Sequence, residues 1–243
     1  MRSWFIAIAL SAVLSSTAYA QAAAPVENKP EAKPEKEVIT STGENTLKPF
    51  LSSGGMTKSS VILEAPLSDD FVMGDRKAPV VLIDYVSMTC PHCAHFTVKV
   101  MPEIEKKYVE TGKVAYILRQ FPLNEPALKA ALLLHCVGEQ DPKRYFIFSK
   151  VLFDAQNKWA FDPNYLAGLE TISSVGGLSK EQFAGCLNNT DREMRVLNIK
   201  KIANDELKLP HTPYIFIDGE VYSGERTVEA VSQFIDLKLA NKR

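Results

Sequence analysis

The sequence predicts an α/β fold: a sheet in two parts with a large helical insertion between its halves. Three observations predict it. A strand–helix–strand run occupies Ala78 to Pro122, helical periodicity fills about 125–209, and a hairpin followed by an amphipathic helix closes the chain from Tyr214 onward. The 243 residues are ample for one buried core.

The first twenty residues bear on compartment. Arg2 is the only charge among them, an apolar run from Trp4 to Leu14 follows, and Ala18-Tyr19-Ala20 has the small-residue form of a cleavage site. This reads as a secretory signal peptide over 1–20. The apolar run is about half of the roughly 20 residues a spanning helix needs, and no later segment is longer. The mature chain is thus expected in an oxidising compartment. Loss of Arg2 would take the formal charge only from −1 to about −2, which gives no reason to expect nucleic acid or anionic lipid as a partner. Residues 21–58 follow as a linker, because "QAAAPVENKPEAKPEKEV" and "SSGGMTKSS" cannot bury enough apolar surface to offset ordering. Only a weak helix or strand signal, Thr46 to Leu51, interrupts it. The folded domain is expected over 59–243.

Within that domain, "APVVLIDYVS" (Ala78 to Ser87) is a near-continuous β-branched run, the mark of a strand covered on both faces. A helix follows from Cys90 to about Glu110, with Phe96, Val100, Ile104 and Tyr108 four apart on one face. "KVAYILRQFP" (Lys113 to Pro122) is a second central strand, and strand–helix–strand order makes the two parallel. Helix starts in the insertion are marked by Asp162-Pro163, by Ser179 with Gln182, and by Thr190 with Glu193, the last two as capping boxes. Gly176-Gly177 separates two of these helices. "YIFID" (Tyr214 to Asp218), a Gly219-Glu220 turn and Val221 to Ser223 read as a hairpin. The last helix starts near Thr227 and turns Val228, Val231, Phe234 and Ile235 to the sheet.

The chemistry concentrates in "SMTCPHCAHF" (Ser87 to Phe96), where Cys90 and Cys93 are separated by Pro91 and His92. A zinc site wants four ligands, usually in two close pairs. The remaining cysteines, Cys136 and Cys186, are isolated, and His92 lies between the two thiols it would have to join on one ion. No metal is expected. A redox pair fits better. Cys90 falls where a buried strand ends and a helix begins, so unsatisfied N–H groups and the helix dipole favour a thiolate and lower its pKa. Pro91 suits the first helical turn, and His92 adds a donor. Cys93 lies one turn deeper. Asp84 is the one acid in the preceding apolar strand, six residues ahead of Cys90, and reads as a buried proton carrier rather than a solvent-facing side chain. Downstream, "HTPYIFIDG" opens a strand on Pro213, where a cis Thr212–Pro213 bond would set a kinked loop beside the cysteines.

"LIDYVSMTCPHC" and "TPYIFIDG", with the helical insertion between them, resemble the thioredoxin fold, and most closely the DsbA family of periplasmic thiol:disulfide oxidoreductases. The resemblance covers about 70–239. It implies that Cys90 is the exposed sulfur that forms a mixed disulfide with a client and that Cys93 is its buried resolving partner. It further implies that His92 stabilises the Cys90 thiolate and that Asp84 relays a proton to or from Cys93. Pro213, in cis, and the Thr212 main chain would hold an extended client peptide. No cofactor is implied. The implied partners are cysteine-containing exported proteins and a DsbB-type quinone-linked membrane oxidase that recharges the enzyme, itself a monomer in the periplasm. One position departs from the oxidase pattern: many oxidases resembling this chain carry Val before the cis proline, and isomerases or reductases often carry Thr, as at Thr212. Disulfide isomerase or reductase is therefore the alternative. A non-catalytic envelope chaperone that uses the same groove is the reading from another class.

Cys136 and Cys186 are either two buried thiols or a structural disulfide, and the oxidising compartment favours the disulfide. His211, beside Thr212-Pro213, is a candidate client contact. His95 reads as a surface residue, and His135 as a core or helix-surface residue.

Overall fold

The computed structural model describes residues 66–242. The expected signal peptide, the 21–58 linker and the weak element at Thr46 to Leu51 lie outside the described residues.

Five strands form one sheet in the order β1-β3-β2-β4-β5. Its centre is the parallel pair β2 (Val80–Val86) and β3 (Val114–Gln120), in register from Val80 opposite Val114 to Val86 opposite Gln120. Every residue of both strands is buried, as their largely apolar sequences favour, and Asp84, Arg119 and Gln120 are buried with them. β4 (Tyr214–Ile217) runs antiparallel to β2, with Ile215 opposite Asp84, and β5 (Glu220–Tyr222) antiparallel to β4. The hairpin turn sits at Asp218-Gly219, one residue earlier than the sequence pattern placed it. Both residues take positive φ, 53° and 79°, as a two-residue hairpin turn demands. The edge strand β1 (Val72–Met73) pairs antiparallel with β3 and is absent from the sequence reading, because two residues carry no periodicity.

The helix after β2, here α1, is a composite. Pro91–His95 is α-helical, Phe96–Val100 is π-wound, Met101–Ile104 is α-helical again and Glu105–Val109 π-wound. Pro102 accounts for the first wide turn. It has no N–H to give the carbonyl four residues back, and its ring would clash there, so the chain opens to an i→i+5 bond from Met101 N–H to the Phe96 carbonyl. Phe96, Val100, Ile104 and Tyr108 are all buried against the sheet.

The insertion contributes α2 (Glu125–Gln140), α3 (Pro142–Asp154), α4 (Tyr165–Val175), α5 (Lys180–Leu187) and α6 (Thr190–Leu207). The Ser179/Gln182 capping box forms in both directions. The other two expected starts are displaced. α4 begins at Tyr165, the Asp162 carboxylate having taken the Asn164 N–H at 2.7 Å. α6 is capped by Asn189, whose side chain accepts from the Arg192 N–H at 2.8 Å, so Thr190 is the first helical residue instead of the cap. Gly177, at φ +87°, ends α4. A disulfide joins Cys136 of α2 to Cys186 of α5 with Cα atoms 5.5 Å apart.

Strand alternation sorts the core into two faces. Leu82, Val86, Tyr116 and Leu118 pack with Cys93, Phe96 and Ile104 of α1 and with Val231 and Ile235 of α7 (Val228–Ala240). Val81, Ile83, Tyr85, Ile117 and Phe216 pack on the other face with Ala203 of α6 and with Leu209. On this second face Arg119 donates two bonds to Asp70, at 3.0 and 2.6 Å, and one to the Tyr85 hydroxyl at 2.9 Å. The ion pair is almost wholly buried and fastens the segment before β1 to the central strands.

Candidate active site

The polar site grows from the end of β2. After Val86 the chain makes a tight turn in which Cys90 N–H bonds the Ser87 carbonyl at 2.9 Å. Cys90 is then the N-cap of α1, with extended φ and ψ of −85° and 117°, and Pro91 follows in the first turn. The insertion clamps this turn from above. Gln156 Nε2 donates to the Met88 carbonyl at 2.9 Å, and Thr89 Oγ1 donates to Asn124 Oδ1 at 3.2 Å. Neither clamp was visible in the sequence, since each joins residues far apart in the chain.

The two thiols occupy different surroundings. Cys90 retains 8% exposure and Cys93 none, so the sulfur expected to be exposed is only marginally so. The Cys90 thiol is brought down to about 5. The largest cause is a hydrogen bond from the Cys93 thiol. Burial opposes it, and Thr212 and the main-chain N–H groups of Cys93 and His92 add to it. The helix start thus acts through discrete amides. His92 enters by its backbone, while its imidazole is exposed. Burial pushes the Cys93 thiol well up, and its own donation to Cys90 and the nearness of Asp84 push it further. One hydrogen bond between the thiols therefore lowers one and raises the other.

The Thr212–Pro213 peptide bond is cis and lies against the pair. Cys90 Sγ donates to the Thr212 carbonyl at 3.3 Å. Beyond the cis proline, Arg226 Nη2 donates to the Pro213 carbonyl at 3.3 Å from the loop before α7. His211 is exposed at the approach to this loop, its ring 5.3 Å from that of Tyr214.

Asp84 lies fully buried on the same face of the sheet as Cys93. Burial holds its carboxyl well above the ordinary carboxylate range. Arg226 pulls the other way, and Cys90 adds to the rise. Arg226 carried no signal in the sequence, standing in a loop among other polar residues. Cys136 and Cys186 are bonded to each other, while Cys90 and Cys93 are free. His95 is exposed and His135 buried, with burial taking the latter down to about 4. Among the described residues no group of His, Cys, Asp and Glu is arranged to hold a metal ion.

The arrangement is one barely accessible thiol with a lowered pKa, a second thiol whose pKa is raised, a buried acid on the same face and a main-chain acceptor in front. It can exchange a disulfide. A family model described as thioredoxin matches residues 67–237. A Rickettsia felis relative, provisionally named protein-disulfide oxidoreductase, is 34% identical over 176 residues, 72% of this chain and 62% of the relative, so the chain spans less than two thirds of that protein's length. Disulfide bond formation protein D of Bacillus subtilis is 24% identical over 178 residues, covering 70% of this chain and 78% of that protein. The crystal structure of Wolbachia pipientis alpha-DsbA1 matches at a TM-score of 0.71 and 32% identity, over 76% of this chain and 98% of the other. On the matched sequence, the shared fold and the paired thiols at the head of α1, this chain belongs to the thioredoxin family and, within it, to the DsbA type.

Proposed function

We propose that the protein is a thiol:disulfide oxidoreductase that donates its Cys90–Cys93 disulfide to exported proteins. The observation that carries this reading is the asymmetry of the two thiols, with Cys90 held near 5 and Cys93 pushed up. A client thiolate attacks Cys90 Sγ and Cys93 leaves as a thiolate, taking a proton from Asp84. A second client thiolate then attacks the client sulfur of the mixed disulfide. Cys90 departs as the stabilised thiolate, and the client holds the new disulfide. The Thr212 main chain beside cis-Pro213 supplies the seat for an extended client segment, with His211 at its rim.

The electrostatics favours donation. Lowering a thiol from 9.0 to about 5 stabilises the reduced state by about 3 kcal/mol at neutral pH, or about 60 mV for a two-electron couple. An oxidised form with such a leaving group gives its disulfide away readily. The compartment in this reading is the periplasm, reached through a cleaved signal peptide. The recharging partner is a DsbB-type membrane oxidase, and the working form is a monomer.

Isomerase or reductase activity is the second reading, favoured by Thr212 before the cis proline. Oxidant-dependent folding of a reduced client is expected to vanish in Cys90→Ser, and an undiminished folding rate would end the oxidoreductase reading. Equilibration of the Cys90–Cys93 couple with glutathione separates the two directions, since a strongly oxidising potential is expected of a donor and a reducing one of an isomerase.

A further inference from the structure

Beneath the cysteine pair lie five buried polar atoms with no hydrogen-bond partner among the described residues. They are both carboxyl oxygens of Asp84, Oη of Tyr116, Oγ1 of Thr97 and Oε1 of Gln120. Strand register gathers them. Asp84 stands opposite Leu118, so Tyr116 and Gln120, two residues to either side on β3, point to the same face and flank the acid. Thr97 comes one turn after Cys93 on α1 and faces the Tyr116 phenol. Gln120 Nε2 donates to Tyr145 Oη at 3.1 Å, and that hydroxyl donates to the Leu118 carbonyl at 2.9 Å, closing the far wall.

Buried polar groups are nearly always paired, and leaving one unpaired costs about 1–3 kcal/mol. Five such atoms on one face of the sheet, several able to give as well as accept, are the kind of partners an internal water takes, typically about three at a time. The geometry points to Tyr116 and Thr97 as positioning residues that hold such water between Asp84 and Cys93 and stabilise the Asp84 carboxylate whenever its proton has left. This rests on the oxidoreductase reading above. In the resolving direction the Cys93 S–H proton passes through the water to the Asp84 carboxylate. The Cys93 sulfur then attacks Cys90 Sγ, the Cys90–client S–S bond breaks, and the client sulfur leaves as a thiolate. The two protein thiols become a disulfide and the client is reduced. In the donating direction every transfer reverses.

The charged and titratable groups facing Asp84 assign Tyr116 and Thr97 a role that others do not fill. Cys90 and Cys93 on α1 oppose a charge on the acid. Arg226, from the loop before α7, favours it from the side of the cis proline. Tyr145 lies behind Tyr116 and is itself pushed up by burial. Tyr116 on β3 and Thr97 on α1 meet each other, and among the described residues neither hydroxyl has a partner beyond that.

The experiment is stopped-flow release of a reporter peptide from its Cys90 mixed disulfide across pH. It uses the intact protein and Tyr116→Phe, Thr97→Val, Thr97→Ser and Asp84→Asn, with thermal unfolding of each. Losing one donor to the bridging water is expected to move the lower midpoint of the release profile up by about one pH unit in Tyr116→Phe and in Thr97→Val. Release slows several-fold at neutral pH, and Thr97→Ser restores it. In Asp84→Asn the further Tyr116→Phe change is expected to add nothing. A Tyr116→Phe profile lying on that of the parent protein would overturn the assignment, as would equal slowing in the Asp84→Asn background. Failure of the parent itself to release peptide through Cys93 would bring down the oxidoreductase reading instead.

Discussion

The molecule holds two pairs of cysteines whose sulfur chemistry is the same and whose surroundings are opposed. Cys136 and Cys186 are fifty residues apart, each within a helix, and they close a covalent loop through the insertion. Cys90 and Cys93 are three apart at a helix start, both free, one lowered to about 5 and the other raised. Separation along the chain gives the first pair its mechanical value, because closing a long loop removes freedom from the unfolded chain. Local dipoles give the second pair its reactivity, because amides and a partner thiol decide which sulfur carries charge. A cysteine's role here is set by what it faces.

That contrast can be broken in order of expected effect. Replacing Cys136 and Cys186 together by Ala is expected to cost about 4 kcal/mol in urea unfolding, the loop-closure value for 50 residues, while the ultraviolet absorbance of the Cys90 thiolate keeps its titration midpoint. A midpoint that moved with loss of the disulfide would show that the two pairs are not independent. The next effect is pH-linked. The folded pKa of Cys90 lies below the unfolded one, so it stabilises the reduced protein fully above about pH 9 and loses that contribution as pH falls through about 5. The stability gap between reduced protein and Cys90→Ala is therefore expected to widen by about 2 kcal/mol between about pH 5 and pH 7. A gap independent of pH would remove the thiolate from the account. The smallest effect probes the scaffold of the first pair alone. Ser179→Ala removes the cap of α5, which carries Cys186, and is expected to cost about 1 kcal/mol without touching the Cys90 titration.

Much of this was legible in the sequence where a pattern repeats locally. The central strands, the α1 stripe, the Ser179 capping box and the C-terminal helix follow from short-range periodicity and caps. Pro213 stood out because a proline opening a strand beside a C-x-x-C motif has few other readings. What escaped lies across the sheet or between distant segments. Tyr116 was read only as part of a strand, although two-residue alternation opposite Asp84 places it on the acid's own face. Arg226, Gln156 and the Asp70–Arg119 pair depend on how loops fold back, and no local pattern encodes that. His92 was credited with a side-chain role, while the structure uses its amide. A helix N-cap presents N–H groups whatever the side chains are, so residue identity there says less than position does.

Pro102 has a reach beyond its own turn. An α-helix advances 3.6 residues per turn, so side chains four apart creep around its axis. Alternating α and π windings bring the average of α1 close to about four, and the creep is cancelled. Cys93, Thr97 and Met101 therefore stack as a vertical column, all buried, on a helix that behaves as a ruler. A residue such as alanine at 102 would let the spiral tighten, and the hydroxyl now sitting below the inner sulfur would rotate out of line without any change to the residues of the reactive centre.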